Sequence, residues 1–442
     1  MTQIELIIAL FAVITALGIL ARWLHIPYPI LLVLGGSLLG FQPWAPSFEL
    51  KPDIVFLLFL PPLLYAAAFN THWPAFREQL RAITLLAIGL VLFTMALVAA
   101  AAHYALGLPW DVGFVLGAIV SPPDAVAATA MTKRVKLPRI IITILEGESL
   151  VNDASALVAY KFALAAVVTG AFHMGECTLD FLAMALGGIA LGFAVALLSI
   201  ALLKWLSKYD LVDNSTIILI TLLTPYAAYL PAEHLHVSGV LATVVAGLWV
   251  GSRCEDIFEK TVYIEAKAVW EMVEFLMNGA IFILIGFQLP AILEALEITH
   301  TLGDLAFQAA VVSAVVIVAR LVWTFPGAYL PRWWDQKVCS IDPQYPPLKN
   351  VFIVGWTGMR GVVSLAAALA IPTHTADGSP FPHRDLIKFL AFGVIFSTLV
   401  LQGLSLPFLI RWLGIREEDG PSPTPEGVPD EPQHIAETTP LV

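Results

Sequence analysis

Long apolar runs follow one another through most of this chain, and each must find an apolar surrounding. They lie at about residues 4–23, 28–41, 52–70, 82–106, 111–130, 140–170, 178–203, 214–230, 235–252, 268–293, 303–328, 349–371 and 386–412. Most are long enough to cross a hydrocarbon layer of about 30 Å as helix. A helix satisfies its own backbone there, where no water can. Charged residues make up 13% of the 442, against roughly 25% for an average soluble domain. A soluble enzyme, a nucleic-acid binder and a disordered chain are all excluded. The expected class is an all-α polytopic membrane protein with about thirteen transmembrane helices. The first run starts at Ile4 with no basic segment before it, so it reads as a span and not as a cleaved signal. Cys177, Cys254 and Cys339 have no paired spacing, which argues against a disulfide framework or a cysteine metal site.

Charge placement tests the count. With the N-terminus outside and alternating spans, 17 of the 23 Lys and Arg residues fall in cytoplasmic segments. Three, Lys51, Arg384 and Lys388, fall outside, and Lys161, Arg320 and Arg360 fall within spans. One missed or invented helix would reverse this positive-inside bias from that point onward. The expected placement is the plasma (bacterial inner) membrane, N-terminus outside and C-terminus cytoplasmic. Residues 1–416 form the membrane domain. Residues 417–442 hold seven acids, six prolines and no Lys or Arg, and read as a short disordered cytoplasmic tail. The tail supplies most of the net charge of −11.

Spans 1–6 and 8–13 are offset by an odd number, so the two halves, about 1–170 and 214–412, would have opposite orientations. That is the pattern of inverted-repeat transporters. Matched positions in the halves are interrupted. Span 5 contains Ser121-Pro122-Pro123-Asp124, and span 12 contains Gly355-Trp356-Thr357-Gly358-Met359-Arg360-Gly361. A pair of broken helices near the midplane points to a substrate site.

Ionisable groups at membrane depth cost about 3 kcal/mol each on insertion scales, and here they cluster. Asp124 follows two prolines that remove backbone donors. A carboxylate there suits the positive N-terminus of the following half-helix, either as a cap or as part of an ion site. In span 6, Glu146-Gly147-Glu148-Ser149-Leu150-Val151-Asn152-Asp153 is the sharpest feature. Glu148 and Asn152 are four apart, as are Ser149 and Asp153, so the pairs stack on adjoining parts of a helix face. Such a face offers the oxygen ligands that a hard monovalent cation wants. The alternative is a polar helix–helix contact. Arg320 matches Glu148 in depth and can pair with it, or snorkel to the interface beside Trp323. Arg360 at the span-12 break would compensate half-helix C-terminal dipoles. Lys161 reads as an outer structural pair, Pro61-Pro62 as a kink and the tryptophans mostly as interfacial anchors. Asn278 is a single polar group deep in span 10, read as a packing amide or a cavity-lining one.

These stretches, with Phe59-Leu60-Pro61-Pro62, His236-Val237-Ser238-Gly239-Val240-Leu241-Ala242, Phe282-Ile283-Leu284-Ile285-Gly286 and Gly358-Met359-Arg360-Gly361, stand in an order that resembles a known family. It is the monovalent cation/proton antiporters, in the branch of the bacterial NhaP-type antiporters and animal sodium/proton exchangers. The resemblance covers about residues 4–415. It implies thirteen helices in inverted repeats, crossing broken helices 5 and 12, core and dimerisation bundles, and a homodimer. It implies that Asp153 is the central ion- and proton-binding carboxylate, with Asn152 and Ser149 as ligands or close supports. It implies a Glu148–Arg320 pair and charged residues, Asp124 and Arg360, at the two breaks. Na⁺ would sit at Asp153 and Ser149, with Asp124 a further ligand. Two positions depart from the family pattern: Pro123 stands where Thr is usual, and Ala125 where Pro is usual. The branch also often has a longer cytoplasmic regulatory region.

A buried carboxylate that holds either a proton or a cation, and not both, couples the two. If only a neutralised site crosses, one Na⁺ (or Li⁺) exchanges for one H⁺. Asn152 in place of a second Asp leaves one free titrating carboxylate, provided Glu148 stays paired, so the cycle is expected to be electroneutral. The rivals are a K⁺/H⁺ antiporter, an organic-anion symporter and a non-transporting membrane sensor. No enzyme activity and no cofactor beyond the transported ions are expected. The partners expected are monovalent cations, protons, the lipid bilayer and a second copy of the chain, with no nucleic acid.

Overall fold

A computed structural model describes residues 3–24, 26–42, 55–124, 137–169, 174–209, 211–253, 259–296, 301–338 and 345–415. The acidic tail, the second half of span 5 and its basic link lie outside them. The regular elements are helical: α1 (Gln3–Leu24), α2 (Tyr28–Gly40), α3 (Val55–Phe69), α4 (Trp73–Glu78), α5 (Leu80–Leu106), α6 (Trp110–Val120), α7 (Arg139–Thr169) and α8 (Met174–Lys208). They continue with α9 (Asn214–His234), α10 (Gly239–Ser252), α11 (Lys260–Leu296), α12 (Leu302–Val338), α13 (Leu348–Trp356), α14 (Val362–Leu369) and α15 (Arg384–Trp412). Seven of these helices are long and apolar enough to cross a membrane, and five shorter apolar helices accompany them among the described residues. Every expected span is helical over at least part of its length.

The helix ends and irregularities follow from particular residues. Ser238 caps α10 by accepting from the Leu241 amide at 3.2 Å. Asp213 caps α9 by accepting from the Thr216 amide at 3.0 Å, and Gly107, at φ 71°, ends α5 in the left-handed conformation. Pro61-Pro62 does more than bend α3. The helix runs as a π turn over Val55–Phe59 and resumes α geometry at Leu60, so the two missing N–H groups fall where the ladder changes register. A second π turn, Leu85–Leu90, lies inside α5. The Leu85 carbonyl accepts from Trp323 Nε1 at 3.1 Å, and the Ala87 carbonyl accepts from the Ser155 hydroxyl at 2.5 Å.

A large apolar cluster joins α1, α2 and the middle of α11 to α7, α13, α14 and α15 around Ile30, Phe282, Ile353 and Leu406, and two further clusters meet along a seam. One packs α3, α8, α9, α10 and the first half of α11 around Tyr65, Ala196, Ala228, Ala246 and Trp270. The other packs α5, α6, α7, α12, α14 and α15 around Val98, Leu116, Val312, Ala368 and Leu390. Leu60 and Leu64 of α3 meet Leu150 and Ala154 of α7 and Val363 of α14 across the seam. The tryptophans divide between two roles. Trp23 and Trp412 are exposed, as interfacial anchors would be, whereas Trp270 is fully buried, its Nε1 donating to Thr221 Oγ1 at 3.3 Å. A tryptophan whose N–H finds an internal acceptor can serve as core.

Between lipid-facing helices there is little hydrophobic drive to associate, so close approach through small residues decides packing. The contact of α2 with α11 shows this: a Cβ at Gly36 would run into the Ile283 carbonyl, and one at Gly286 into the Val33 carbonyl. Gly286→Val should therefore cost about 1–3 kcal/mol through forced separation of the pair, read as a lowered midpoint of thermal unfolding in detergent. Outside the spans, Asp377 accepts from the Ser379 hydroxyl at 2.8 Å and amide at 3.2 Å, and from the Thr375 hydroxyl. These bonds hold its carboxyl at about 2. A depressed carboxylate contributes order above its unfolded pKa, and that order is lost as pH falls through the folded value. The protection factors of the amides of residues 375–379 should fall progressively as pH drops from about 4 to about 2, and in Asp377→Asn should be lower than wild type above about pH 4.

Candidate functional site

The two interruptions come together inside the seam. α6 ends at Val120, and residues 121–124 carry no regular helical bonding. α13 ends at Trp356, and α14 starts at Val362. The Asp124 amide donates to the Met359 carbonyl at 2.7 Å, so one break supplies a partner that the other needs. The Asn152 side-chain amide of α7 donates to the Pro123 carbonyl at 3.0 Å. The Arg360 amide donates to Thr398 Oγ1 at 3.1 Å, where α15 passes through a π turn. Gly361 permits the approach, because a Cβ there would collide with the Asp124 carboxylate.

The polar residues of α7 divide into two stripes. Glu148 points to α12 and is 1% exposed. It accepts from Arg320 Nη1 at 2.5 Å and Nη2 at 2.8 Å. Arg320 is equally buried and also donates to the Val354 carbonyl, from Nε at 3.2 Å and Nη2 at 3.1 Å. The geometry is a two-point fork, and it decides between the two roles open to Arg320 in favour of pairing. Ser149 and Asp153 form the other stripe and line a cavity of about 50 Å³ together with Pro122, Asp124, Asn278 and Ser364. Asp153 is buried, at 8% exposure. Among the described residues it forms no salt bridge, and its charged neighbour is Asp124.

The site residues expected from the sequence thus meet, with distinct tasks. Ser149, Asp153 and Asp124 share the cavity. Asn152 stands beside it and spends its amide on the broken segment, a support more than a wall. The usual Thr hydroxyl is missing at Pro123, but the Pro123 carbonyl is what Asn152 holds. Arg360 is fully buried beside the C-terminal end of α13, with Arg320 and Glu148 as its charged neighbours. None of its side-chain nitrogens has a hydrogen-bond partner among the described residues. Whether Asp124 caps the segment after it falls on residues outside those described. Lys161 lies 3.9 Å from Glu233 with both side chains well exposed, the outer pair expected. Ser364 and Thr398 carry no sequence signal of their own. Their only pointer is proximity to Arg360 and to span 13, which composition cannot convert into contact.

The chain matches the transmembrane sodium/hydrogen exchanger family over residues 7–412. It belongs to that family. It is 34% identical over 410 residues to the sodium, potassium, lithium and rubidium/H⁺ antiporter of Bacillus subtilis, covering 91% of this chain and 61% of the relative. The chain thus spans about three fifths of that relative's length. It is 36% identical over 420 residues to the uncharacterized Na⁺/H⁺ exchanger Rv2287 of Mycobacterium tuberculosis, covering 93% of this chain and 75% of that one. It is 30% identical over 425 residues to the Na⁺/H⁺ antiporter NhaS2 of Synechocystis, covering 96% and 72%. Its fold is that of the sodium proton antiporter MjNhaP1 from Methanocaldococcus jannaschii, at a TM-score of 0.65 and 19% identity, covering 93% of this chain and 98% of that one. The chain is an integral membrane protein of a transporter family.

The buried fork makes a quantitative expectation. Removing one partner strands a buried charge, which costs about 3–5 kcal/mol, while replacing both with apolar residues of similar size is near neutral. Glu148→Leu or Arg320→Met alone should sharply lower thermal stability in detergent. The double variant should recover most of it.

Proposed function

We propose that the chain is a secondary-active antiporter that exchanges one Na⁺ or Li⁺ for one H⁺ by competition at Asp153. The observation that carries this is the unequal treatment of two acids on one helix. Glu148 is neutralised by Arg320, whereas Asp153, about 1.4 turns further on, has no salt bridge among the described residues and lines a small cavity. A carboxylate so placed is neutral only when it carries a proton or a cation. Each displaces the other, and the shared requirement for neutrality couples their movements.

Thirteen crossings, with inverted halves about 1–170 and 214–412, follow from the odd offset and from the meeting of the two breaks. The N-terminus outside and C-terminus inside follow from the distribution of Lys and Arg. A homodimer rests on the family resemblance alone. Transport would move the bundle holding α5–α7 and α12–α15 as a body against the rest. With Glu148 paired and Asn152 uncharged, Asp153 is the site's single free carboxylate on α7, which supports electroneutral one-for-one exchange. A second reading, exchange of K⁺ as well, is favoured by the ions named for the Bacillus subtilis relative.

In proteoliposomes at clamped zero voltage with an internal pH dye, Na⁺ or Li⁺ should dissipate an imposed pH gradient. Asp153→Asn should reduce that flux at least a hundredfold at equal incorporation. Full exchange by this variant would sink the competition mechanism. Proton flux with K⁺ as well as with Na⁺ would select the second reading.

A further inference from the structure

The cavity beside Asp153 is walled by two polar side chains that the exchange reading leaves without a task. Asn278 lies midway along α11 and is fully buried. Neither its Oδ1 nor its Nδ2 has a hydrogen-bond partner among the described residues. Ser364, in the first turn of α14, is 1% exposed, and its hydroxyl is equally without a partner there. Both line the same cavity as Asp153 and Ser149. Buried amides and hydroxyls are almost always hydrogen-bonded, and leaving one unsatisfied costs stability. Two such groups on two helices, facing one carboxylate, point to a ligand that takes their oxygens.

A cation at Asp153 is a hard ion that takes oxygen ligands, and the cavity it would occupy has Ser149, Asn278 and Ser364 on its wall. We propose that Asn278 Oδ1 and Ser364 Oγ complete the oxygen shell of the cation bound at Asp153. The shell then draws on three helices, α7, α11 and α14. This inference rests on the exchange reading and extends it to residues of two further helices.

The proposal separates from a packing role by the sign of a stability change. An amide kept only for helix contact destabilises the protein when replaced. An amide kept for a cation is a burden on the protein without the cation, so Asn278→Leu should unfold at the same temperature as wild type or higher in choline buffer. The same variant should lose most of the thermal shift that Na⁺ or Li⁺ produces in wild type. In proteoliposomes its apparent KM for cation should rise about ten- to a hundredfold, the range expected for one lost bond to a charged group, with a smaller change in maximum rate. Ser364→Ala should raise KM in the same direction, and Asn278→Gln should recover part of the loss. Asp153→Asn serves as the control without cation response. A less stable Asn278→Leu that keeps the wild-type cation shift and KM would overturn the proposal. Should that variant fail to fold, Asn278→Ala and Ser364→Ala at wild-type KM would overturn it equally. Wild type that shows neither cation-dependent proton flux nor a cation shift would sink the exchange reading itself. Wild-type exchange with unaltered variants would sink this inference alone.

Discussion

Backbone that leaves helical geometry inside a bilayer has no water to receive its groups, and here α6 stops at Val120 and α13 at Trp356. The Asp124 amide reaches the Met359 carbonyl at 2.7 Å, so each break provides what the other lacks. Everything else at the site depends on that exchange. It brings Asp124 to Gly361, sets Arg360 beside the end of α13, and opens the small cavity against α7. Irregular backbone is tolerated at membrane depth only where protein covers it, and α7, α14 and α15 provide that cover here.

The second constraint is electrical. α7 carries two deeply buried acids within six residues, and the fold treats them oppositely. The Arg320 fork removes Glu148 from the site's charge balance and also satisfies the Val354 carbonyl next to the α13 end. Asp153 is left against a cavity with Asp124 as its charged neighbour. One acid is therefore paired, and the other lines the cavity without a salt bridge among the described residues.

Much of this was legible in the chain. The helical class follows from apolar runs too long and too numerous for a soluble core. The breaks follow from Pro122-Pro123 and from the glycines around Arg360, because those residues cannot sustain a regular ladder. The i, i+4 spacing of Glu148 with Asn152 and Ser149 with Asp153 placed the oxygens on α7. Spacing alone showed them as one polar face, yet the structure divides that face into a stripe turned to α12 and the α6 break and a stripe turned to the cavity. The Trp270 core role and the π turn of α5 were hidden because they depend on partners from other helices. Trp270 needs Thr221, and the Leu85–Leu90 turn needs Trp323 and Ser155.

What the sequence by itself determined is which residues must be helical, where helices cannot continue, and which charges have no business in lipid without a use. Those are local consequences of side-chain chemistry and of the cost of a bare charge or an unpaired amide. Only the tertiary structure decided which acid Arg320 would neutralise, that the two breaks would bond to each other, and that Asn278 and Ser364 would face the same cavity as Asp153. These are pairings between helices far apart in the chain. Periodicity gives each helix a face but no address for it. The address is settled when every buried donor, acceptor and charge finds its partner at once.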